Sequence, residues 1–563
     1  MTDDTARDNV LWAWTLIDAL AASGVAHAVI SPGSRSTPLA LACLRHPGVE
    51  VSIQVDERSA AFFALGLVKA RHQPVVLVCT SGSAPAHWYP AVIEADMGGT
   101  PLILLSADRP PELRGCGANQ ATDQNRLFGS HVRAFHELPC ADSDPEMLRW
   151  LRALAAQVAD QSRWPLAGPV HVNVPLREPL LPDGPWPALQ AAPVAAVSYP
   201  VMSLPPVTAH SLADELAGGR GLIVCGAGVF DAEFSAALAE LAHKLACPVL
   251  ADPLANLRFG AHCNGSFLSR YDAFLRGPDA PRPEWVLRFG AMPVSKSLQR
   301  FLDGLADVPQ LLVECGGRWP DPLHRASRLL RADPAALCRQ LSALVARAAS
   351  PAWLETFVAA ERLAAQLAEL DPPPEADVVR TLIELLPAGA TLFCGNSMSI
   401  RDLDAYSGCG AKALRVVGNR GASGIDGNVS TALGLAAAGA APLVALLGDL
   451  AFYHDMNGLA AARGLDVVFV VLNNGGGGIF EYLPQAGLEE FERGWLTPLA
   501  LDFSHVAALY GLSHVKVEHG AGFSAALAAA LEGGAHLVEV SIDRAGSVAR
   551  HRAYWEAAAQ NMF

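Results

Sequence analysis

Positive charge is in short supply in this chain of 563 residues. Lys and Arg number 41 against 56 Asp and Glu, a formal net charge of −15, which argues against broad nonspecific attraction to nucleic acid or an anionic membrane. An anionic ligand therefore has to meet a local basic cleft. Charged residues of both signs make up only 17% against 51% hydrophobic, which excludes a disordered chain and implies a core-forming one. Paired cysteines are missing: eleven lie scattered from Cys43 to Cys409 with no C-x-x-C. A zinc ribbon and a thioredoxin-like site are both unsupported, and reduced, mostly buried thiols are expected. The opening MTDDTARDNVLWAW has acids where a secretory signal would have bases, so a soluble cytoplasmic protein is expected. Long apolar runs reduce to Ser430 to Gly448, which Pro442 interrupts; the expectation there is a buried helix running into a buried strand rather than a membrane span. A nucleophile elbow, a phosphate-loop lysine, a metalloprotease helix and short tandem repeats are also absent.

What is there suits about three domains at roughly 100–200 residues each. Prolines crowd Arg177 to Pro206, a weaker break falls near Ala348 to Pro351, and DPPPE occupies Asp371 to Glu375; the resulting segments are 1–185, 200–345 and 355–563. In each, short β-branched runs alternate with Ala-rich amphipathic stretches: AVIS, PVVLVCTSG and PLILLSAD, then GLIVCGAG and QLLVECGG, then PLVALLGD and DVVFVVLNN. That alternation predicts an α/β protein with parallel sheets flanked by helices in all three segments. Ligands of such sheets bind beyond the carboxyl ends of the strands, where SPGSR, TSGS, SADR, GD and NN stand.

The strongest signal is PLVALLGDLAFYHDMNGLAAARGLDVVFVVLNNGGGGIF. A strand over 442–447 ends at Gly448-Asp449, a helix follows, and a strand over 466–472 ends at Asn473-Asn474. A carboxylate and a carboxamide thus reach one sheet edge 25 positions apart. Hard oxygen ligands there suit Mg²⁺, often shared with a substrate phosphate, and glycine at 475–478 lets the backbone approach an anion closely. This pattern resembles the diphosphate-binding motif of the thiamine-diphosphate enzymes, except that Leu450 stands where glycine usually follows the Asp. The resemblance implies that Gly448, Asp449, the Asn474 side chain and the Gly476 carbonyl bind the diphosphate, with Asp449, Asn474 and Gly476 on Mg²⁺ or Mn²⁺. It also implies a glutamate for the aminopyrimidine ring, and VSIQVDERSAAFFALGLVKA offers Glu57 at a strand-to-helix junction. A carboxyl held in a dry pocket would have a raised pKa.

Further blocks bring basic and polar residues to strand ends and loops: Ser34 and Arg35 in SPGSRSTPL; Arg109, Asn119 and Gln120 in SADRPPELRGCGANQATDQ; Ser397 and Arg401 in GNSMSIRDLD; Arg420 and Ile425 in NRGASGIDG. Arg matches carboxylates in bidentate fashion, and several in one cleft suit a polyanionic substrate. From Ser31 to Phe480 these blocks resemble the 2-succinyl-5-enolpyruvyl-6-hydroxy-3-cyclohexene-1-carboxylate synthase family of menaquinone biosynthesis. The resemblance implies a transferase that decarboxylates 2-oxoglutarate and adds the succinyl fragment in conjugate fashion to isochorismate. By position Ser34, Arg35, Arg109, Asn119, Gln120, Ser397, Arg401 and Arg420 would line the site of these dicarboxylates, Ile425 would prop the bent cofactor, and Ile479, Phe480 and Leu483 would form an apolar wall. It also implies an N-terminal pyrimidine-binding domain (1–185), a central domain (200–345), a C-terminal diphosphate-binding domain (355–563), and a homodimer or homotetramer with active sites between subunits. The rival within the superfamily is another thiamine-diphosphate-dependent 2-oxoacid decarboxylase or carboligase.

Lys296 is followed by Ser297 where some relatives have consecutive basic residues; it either serves a substrate carboxylate or is a solvated lysine. Cys225-Gly226-Ala227-Gly228 is expected as a turn and not a dinucleotide fingerprint. Asp455 in His454-Asp455 is expected to stabilise the start of its own helix, and His87 has no derivable role.

Overall fold

A computed structural model describes residues 2–184, 187–188 and 191–562. The short β-branched runs form strands, and each segment builds one six-stranded sheet. Strands β1 (His27–Ile30), β2 (Glu50–Ile53), β3 (Val75–Cys79), β4 (Leu102–Asp108), β5 (Phe135–Glu137) and β6 (Val170–Pro175) lie in the order β2-β1-β3-β4-β6-β5. The central sheet has β7 (Gly221–Cys225), β8 (Val249–Ala251), β9 (Phe267–Leu268), β10 (Trp285–Phe289), β11 (Gln310–Val313) and β12 (Ala326–Leu330), ordered β12-β11-β10-β7-β8-β9. The third has β13 (Thr391–Cys394), β14 (Arg415–Val417), β15 (Leu443–Gly448), β16 (Val467–Asn473), β17 (Ser513–Val517) and β18 (Ala535–Ser541), ordered β14-β13-β15-β16-β18-β17. Every strand pair is parallel, as the alternating pattern predicts. Strands β3, β4, β7, β10 and β11 are buried along their whole length, which is why they read as continuous apolar runs.

The backbone divides into two compact units. One comprises 1–199, 419–440 and 454–465; the other comprises 200–418, 441–453 and 466–563. In the first unit, apolar faces of helices Thr2–Ala22 and Pro145–Gln161 join the sheet in one core containing Trp12, Leu16, Val78, Leu105, Leu151 and Val172. Helix Asn428–Ala437 also lies in this unit, packed on helix Glu57–Arg71. Small residues allow that approach. A Cβ on Gly66 would overlap the Thr431 carbonyl and stand 2.8 Å from Gly434 Cα, and a Cβ on Gly434 would overlap the Phe63 carbonyl. In the second unit a continuous core runs from Leu222 and Phe274 through Trp353 and Phe357 to Val444, Val470, Val538 and Tyr554.

The apolar stretch Ser430 to Gly448 is indeed a buried helix followed by the buried strand β15, and among the described residues no helix is long and apolar enough to cross a membrane. Cys225 ends β7 and Gly226 to Gly228 bend away from it: a Cβ on Gly226 would overlap the Ala291 carbonyl, so close backbone packing accounts for that glycine.

Candidate active site

In the first unit, polar strand ends gather at one sheet edge. Arg35 is buried; its Nη1 donates to the Leu176 carbonyl (2.8 Å) and its Nη2 to the Glu178 carboxylate (2.6 Å). Arg109, at the end of β4, has Nη1 4.0 Å from the same Glu178 oxygen and donates through Nε to the Asn119 carbonyl (3.1 Å). Gln120 donates from Nε2 to the Ser81 carbonyl (3.0 Å), and its own carbonyl accepts from Ser81 Oγ (3.0 Å). The structure therefore brings Arg35, Arg109, Asn119 and Gln120 together, with exposed Ser34 beside Arg35. Burial and the Arg109 cation push the Arg35 guanidinium below its ordinary range, while Glu178 opposes them. Glu178 is 69% exposed, so the guanidinia of Arg35 and Arg109 converge on a single carboxylate that is open to solvent. Nothing in the local sequence marks Glu178, which stands in the proline-rich stretch 143 residues from Arg35.

Glu57 is the first residue of helix Glu57–Arg71. Asp56 caps that helix, accepting from the amides of Arg58 (2.9 Å) and Ser59 (3.3 Å), so the neighbouring Glu57 carboxyl is not consumed by capping. Glu57 is half-buried, and its carboxylate adds to burial in pushing the Cys79 thiol, at the end of β3, well up from its usual value. In the same unit the loop with Arg420 and Ile425 is held by buried Glu94, whose two carboxylate oxygens accept from the Gly421 (2.8 Å) and Ala422 (2.7 Å) amides. Its signal in sequence is slight, one of two acids, with Asp96, in the otherwise apolar helix Tyr89–Gly98.

In the second unit, parallel pairing aligns Gly448 with Leu472, so β15 and β16 deliver Asp449 and Asn474 to one edge. Asp449 is buried; its Oδ2 accepts from the Gly476 amide (2.8 Å) and its Oδ1 from the Leu450 amide (2.8 Å). Burial outweighs those amides and raises its pKa to about 6. Asn474 Oδ1 is buried without a hydrogen-bond partner. Gly476 has φ +133° and a Cβ there would overlap the Leu496 carbonyl, so only glycine fits this close turn. A buried carboxylate, an orphaned carboxamide oxygen and a glycine backbone fit a hard divalent cation with its diphosphate. Among the described residues no three His, Cys, Asp or Glu side chains converge on a possible metal site; the present set needs one acid only. Ile479 and Phe480, in the turn Gly478–Tyr482, are half-buried and Leu483 is exposed.

Ser397 precedes helix Met398–Tyr406 with φ +68° and ψ −129°, a region an L residue adopts at a cost on the order of 1–3 kcal/mol. Arg401 Nη1 donates to its carbonyl (2.6 Å). Lys296 is exposed at the start of helix Lys296–Asp303 and donates to Gln299 (2.9 Å). His87 is exposed. Asp455 departs from expectation: it makes no side-chain cap on its own helical turn and instead accepts from Ser430 N (2.7 Å) and Oγ (3.1 Å), satisfying the start of helix Asn428–Ala437. Its turn packs on helix Asn428–Ala437, and the first-turn amides of a helix lack intrahelical partners, so the buried carboxylate meets the Ser430 amide there.

Comparison with known proteins gives three matched regions along the chain. Residues 13–127 match the thiamine pyrophosphate enzyme N-terminal TPP binding domain, 194–394 the middle domain of thiamine pyrophosphate enzymes, and 409–540 the C-terminal TPP binding domain. Benzoylformate decarboxylase from Polynucleobacter necessarius aligns with TM-score 0.69 at 17% identity, over 95% of this chain and 99% of that one, which establishes the fold alone. Two relatives are named 2-succinyl-5-enolpyruvyl-6-hydroxy-3-cyclohexene-1-carboxylate synthase. The one from Dechloromonas aromatica (strain RCB) is 45% identical, covering 95% of this chain and 99% of its own length. The one from Geobacillus thermodenitrificans (strain NG80-2) is 46% identical, with 97% and 96% covered. With that identity over nearly its whole length, the chain belongs to the 2-succinyl-5-enolpyruvyl-6-hydroxy-3-cyclohexene-1-carboxylate synthase family of thiamine pyrophosphate enzymes.

Proposed function

We propose that the chain decarboxylates 2-oxoglutarate with thiamine diphosphate and transfers the succinyl fragment by conjugate addition to isochorismate, in menaquinone biosynthesis in the cytoplasm. The observation that carries its cofactor part is the orphaned Asn474 oxygen and the buried, amide-bound Asp449 at one sheet edge, and the 45–46% identity to the two named synthases supports the substrates. Asp449, Asn474 and the Gly476 carbonyl would hold Mg²⁺, or Mn²⁺, on the diphosphate, with Gly448 beside them. When bound there, thiamine diphosphate supplies the electron sink that loss of CO₂ from a 2-oxoacid requires.

The remaining roles belong to the chain's own side chains. Glu57 would share a proton with the ring nitrogen of the aminopyrimidine, a weak base. Ile425, Ile479 and Phe480 would exclude water and fix the cofactor's bend. Arg35 and Arg109, with Ser34, Asn119 and Gln120, would hold carboxylates in exchange for Glu178, and Arg401, Ser397 and Arg420 would orient the others. A chain with net charge −15 needs that concentration of guanidinia where two dianions meet. We assign pyrimidine binding to 1–185, a central role to 200–345 and diphosphate binding to 355–563, in a homodimer or homotetramer whose active sites draw on two copies.

The test is to follow isochorismate absorbance with purified protein, Mg²⁺ and 2-oxoglutarate, adding thiamine diphosphate last. Loss of absorbance that needs every component is expected. CO₂ release with isochorismate untouched would keep the thiamine site and overturn the acceptor.

A further inference from the structure

Helix Arg544–Asn561 carries none of the residues assigned above, yet its buried face includes ionisable groups. His551 is 1% exposed. Its Nε2 lies 3.1 Å from Asp402 Oδ1, and its Nδ1 faces the Ser547 carbonyl (2.9 Å), Ser547 Oγ (3.3 Å) and Tyr482 Oη (3.1 Å). Ser547 Oγ lies 2.8 Å from both carboxylate oxygens of buried Glu375. The rings of Tyr406, Tyr482 and Trp555 surround the imidazole at 5.7–6.1 Å. Burial works against the imidazolium, but Asp402 and Glu375 outweigh it and hold the pKa of His551 above its ordinary value. In that form both ring nitrogens donate, Nε2 to Asp402 and Nδ1 shared between the Ser547 carbonyl and Tyr482 Oη. Asp402 Oδ2 has no hydrogen-bond partner, so the carboxylate depends on this imidazole.

A buried polar network is costly unless well satisfied, and packing alone would be served by apolar residues. Two lines lead outward from it. Asp402 sits next to Arg401 on the helix that begins after the strained Ser397. Tyr482 closes the turn that holds Ile479 and Phe480. The same helix grips that second segment twice more: Arg544 Nη1 donates to the Asn474 carbonyl (3.1 Å) and its Nε to Glu481 Oε1 (3.1 Å), and Arg552 Nη2 donates to the Glu481 carbonyl (2.8 Å).

We infer that His551 is a positioning residue with two arms. Through Asp402 it fixes Ser397 and Arg401, through Tyr482 it fixes residues 474–482, and so it sets the substrate-side segment against the cofactor-side segment. This rests on the functional reading of those two segments given above. Misplacement by about 1 Å is enough to cost on the order of 10²-fold in rate.

His551→Phe, His551→Gln and Tyr482→Phe test it, with three readouts: KM for 2-oxoglutarate, thiamine-diphosphate affinity by calorimetry, and amide hydrogen exchange of the cofactor-free protein. His551→Phe removes both arms; about 10-fold or greater losses in KM and in affinity are expected, typical of groups that orient ligands from behind, with faster exchange in 397–406 and 474–482 and unchanged exchange in β3 and β4. His551→Gln keeps an amide donor for Asp402 and should restore KM but not affinity, whereas Tyr482→Phe should weaken affinity and leave KM near wild type. If His551→Phe lowers the thermal midpoint while KM, affinity and exchange stay at wild-type values, the network is structural and the inference is overturned. Should that variant fail to fold, identical behaviour of the other two on both constants overturns it equally. A wild-type protein without thiamine-dependent CO₂ release would sink the functional reading instead, and exchange in the cofactor-free protein would still decide the two-armed linkage.

Discussion

The first and third sheets share one strand order, 2-1-3-4-6-5 counted from each sheet's own first strand, while the central sheet runs 6-5-4-1-2-3. In both of the matching sheets the helix after the second strand contains Ala-Leu-Gly-Leu, at 64–67 and at 432–435, and these two helices pack on each other through Gly66 and Gly434. The difference lies in where each copy keeps its acid. The first has Glu57 at the start of that helix and ends its third strand in Cys79-Thr80-Ser81. The third starts the helix at Asn428 and ends its third strand in Gly448-Asp449. One scaffold thus offers two stations for a carboxylate at its ligand edge, and each copy fills a different one. Asp449 is buried and accepts from two amides; Glu57 is half-buried, with the first amides of its helix taken by Asp56, and the roles proposed for the two acids differ accordingly.

The largest effects should come from breaking that division. Glu57→Gln removes a proton site, so turnover is expected to fall about 10²–10⁴-fold with thiamine-diphosphate affinity little changed. Asp449→Ala should abolish turnover through lost Mg²⁺ and diphosphate binding, seen by calorimetry. Equal loss of affinity in both variants would erase the distinction drawn between the stations, and near-normal turnover of Glu57→Gln would remove its role.

Next in size is the contact between the two Ala-Leu-Gly-Leu helices, both in the first unit. Gly434→Ala forces a Cβ into the Phe63 carbonyl and should destabilise by about 1–3 kcal/mol, read as a lowered urea midpoint. Gly66→Ala should cost a similar amount against Thr431, and the double variant should be non-additive because the sites share one gap. Gly448→Ala, whose Cβ would meet nothing within 4 Å, is the control; a comparable loss there would show that helix crossing is not what these glycines serve.

The parallel sheets, the bend after Cys225 and the helix-to-strand path through Ser430–Gly448 were legible because each rests on local periodicity and turn chemistry. Asp449 and Asn474 were legible for the same reason, since a strand-helix-strand unit fixes which edge its loops reach. Glu94, Glu178 and Asp455 were not. Their donors lie 327, 143 and 25 residues away, and an acid carries no sign of which distant amide or guanidinium it will meet. Asp455 looked like a local cap because cap signals are read from the nearest helix. The strain at Ser397 was hidden too, because serine carries no sequence signal for the positive φ it adopts.

The caps of the two matching helices differ in a way that pH resolves. Asp56 is partly exposed, whereas Asp455 is fully buried and burial raises its pKa to about 7, against the pull of Ser430 and Arg58. Its unfolded value is about 3.9, so between about pH 4 and 7 the folded protein keeps a proton that the unfolded chain has lost. The stabilising contribution is present below about pH 4 and is lost as pH rises through 7, on the order of a few kcal/mol. Asp455→Asn should flatten that slope in denaturation midpoints taken from pH 4 to 8, at the cost of about 1 kcal/mol for one lost bond to Ser430. An unchanged slope would mean that Asp455 stays ionised throughout.

The smallest effect concerns the odd sheet. Its strand order differs, and its one candidate contact, Lys296, lies exposed and bound to Gln299 on its own helix. If only the two matching sheets supply ligand contacts, Lys296→Ala should change stability by no more than about 0.5 kcal/mol and leave KM for both dicarboxylates unaltered. A lysine that reaches a substrate carboxylate would give up a charge-assisted bond worth about 1.5–3 kcal/mol, which is a rise in KM of about tenfold or more. That rise, for one substrate and not the other, would bring the central sheet into the site and name the carboxylate it serves.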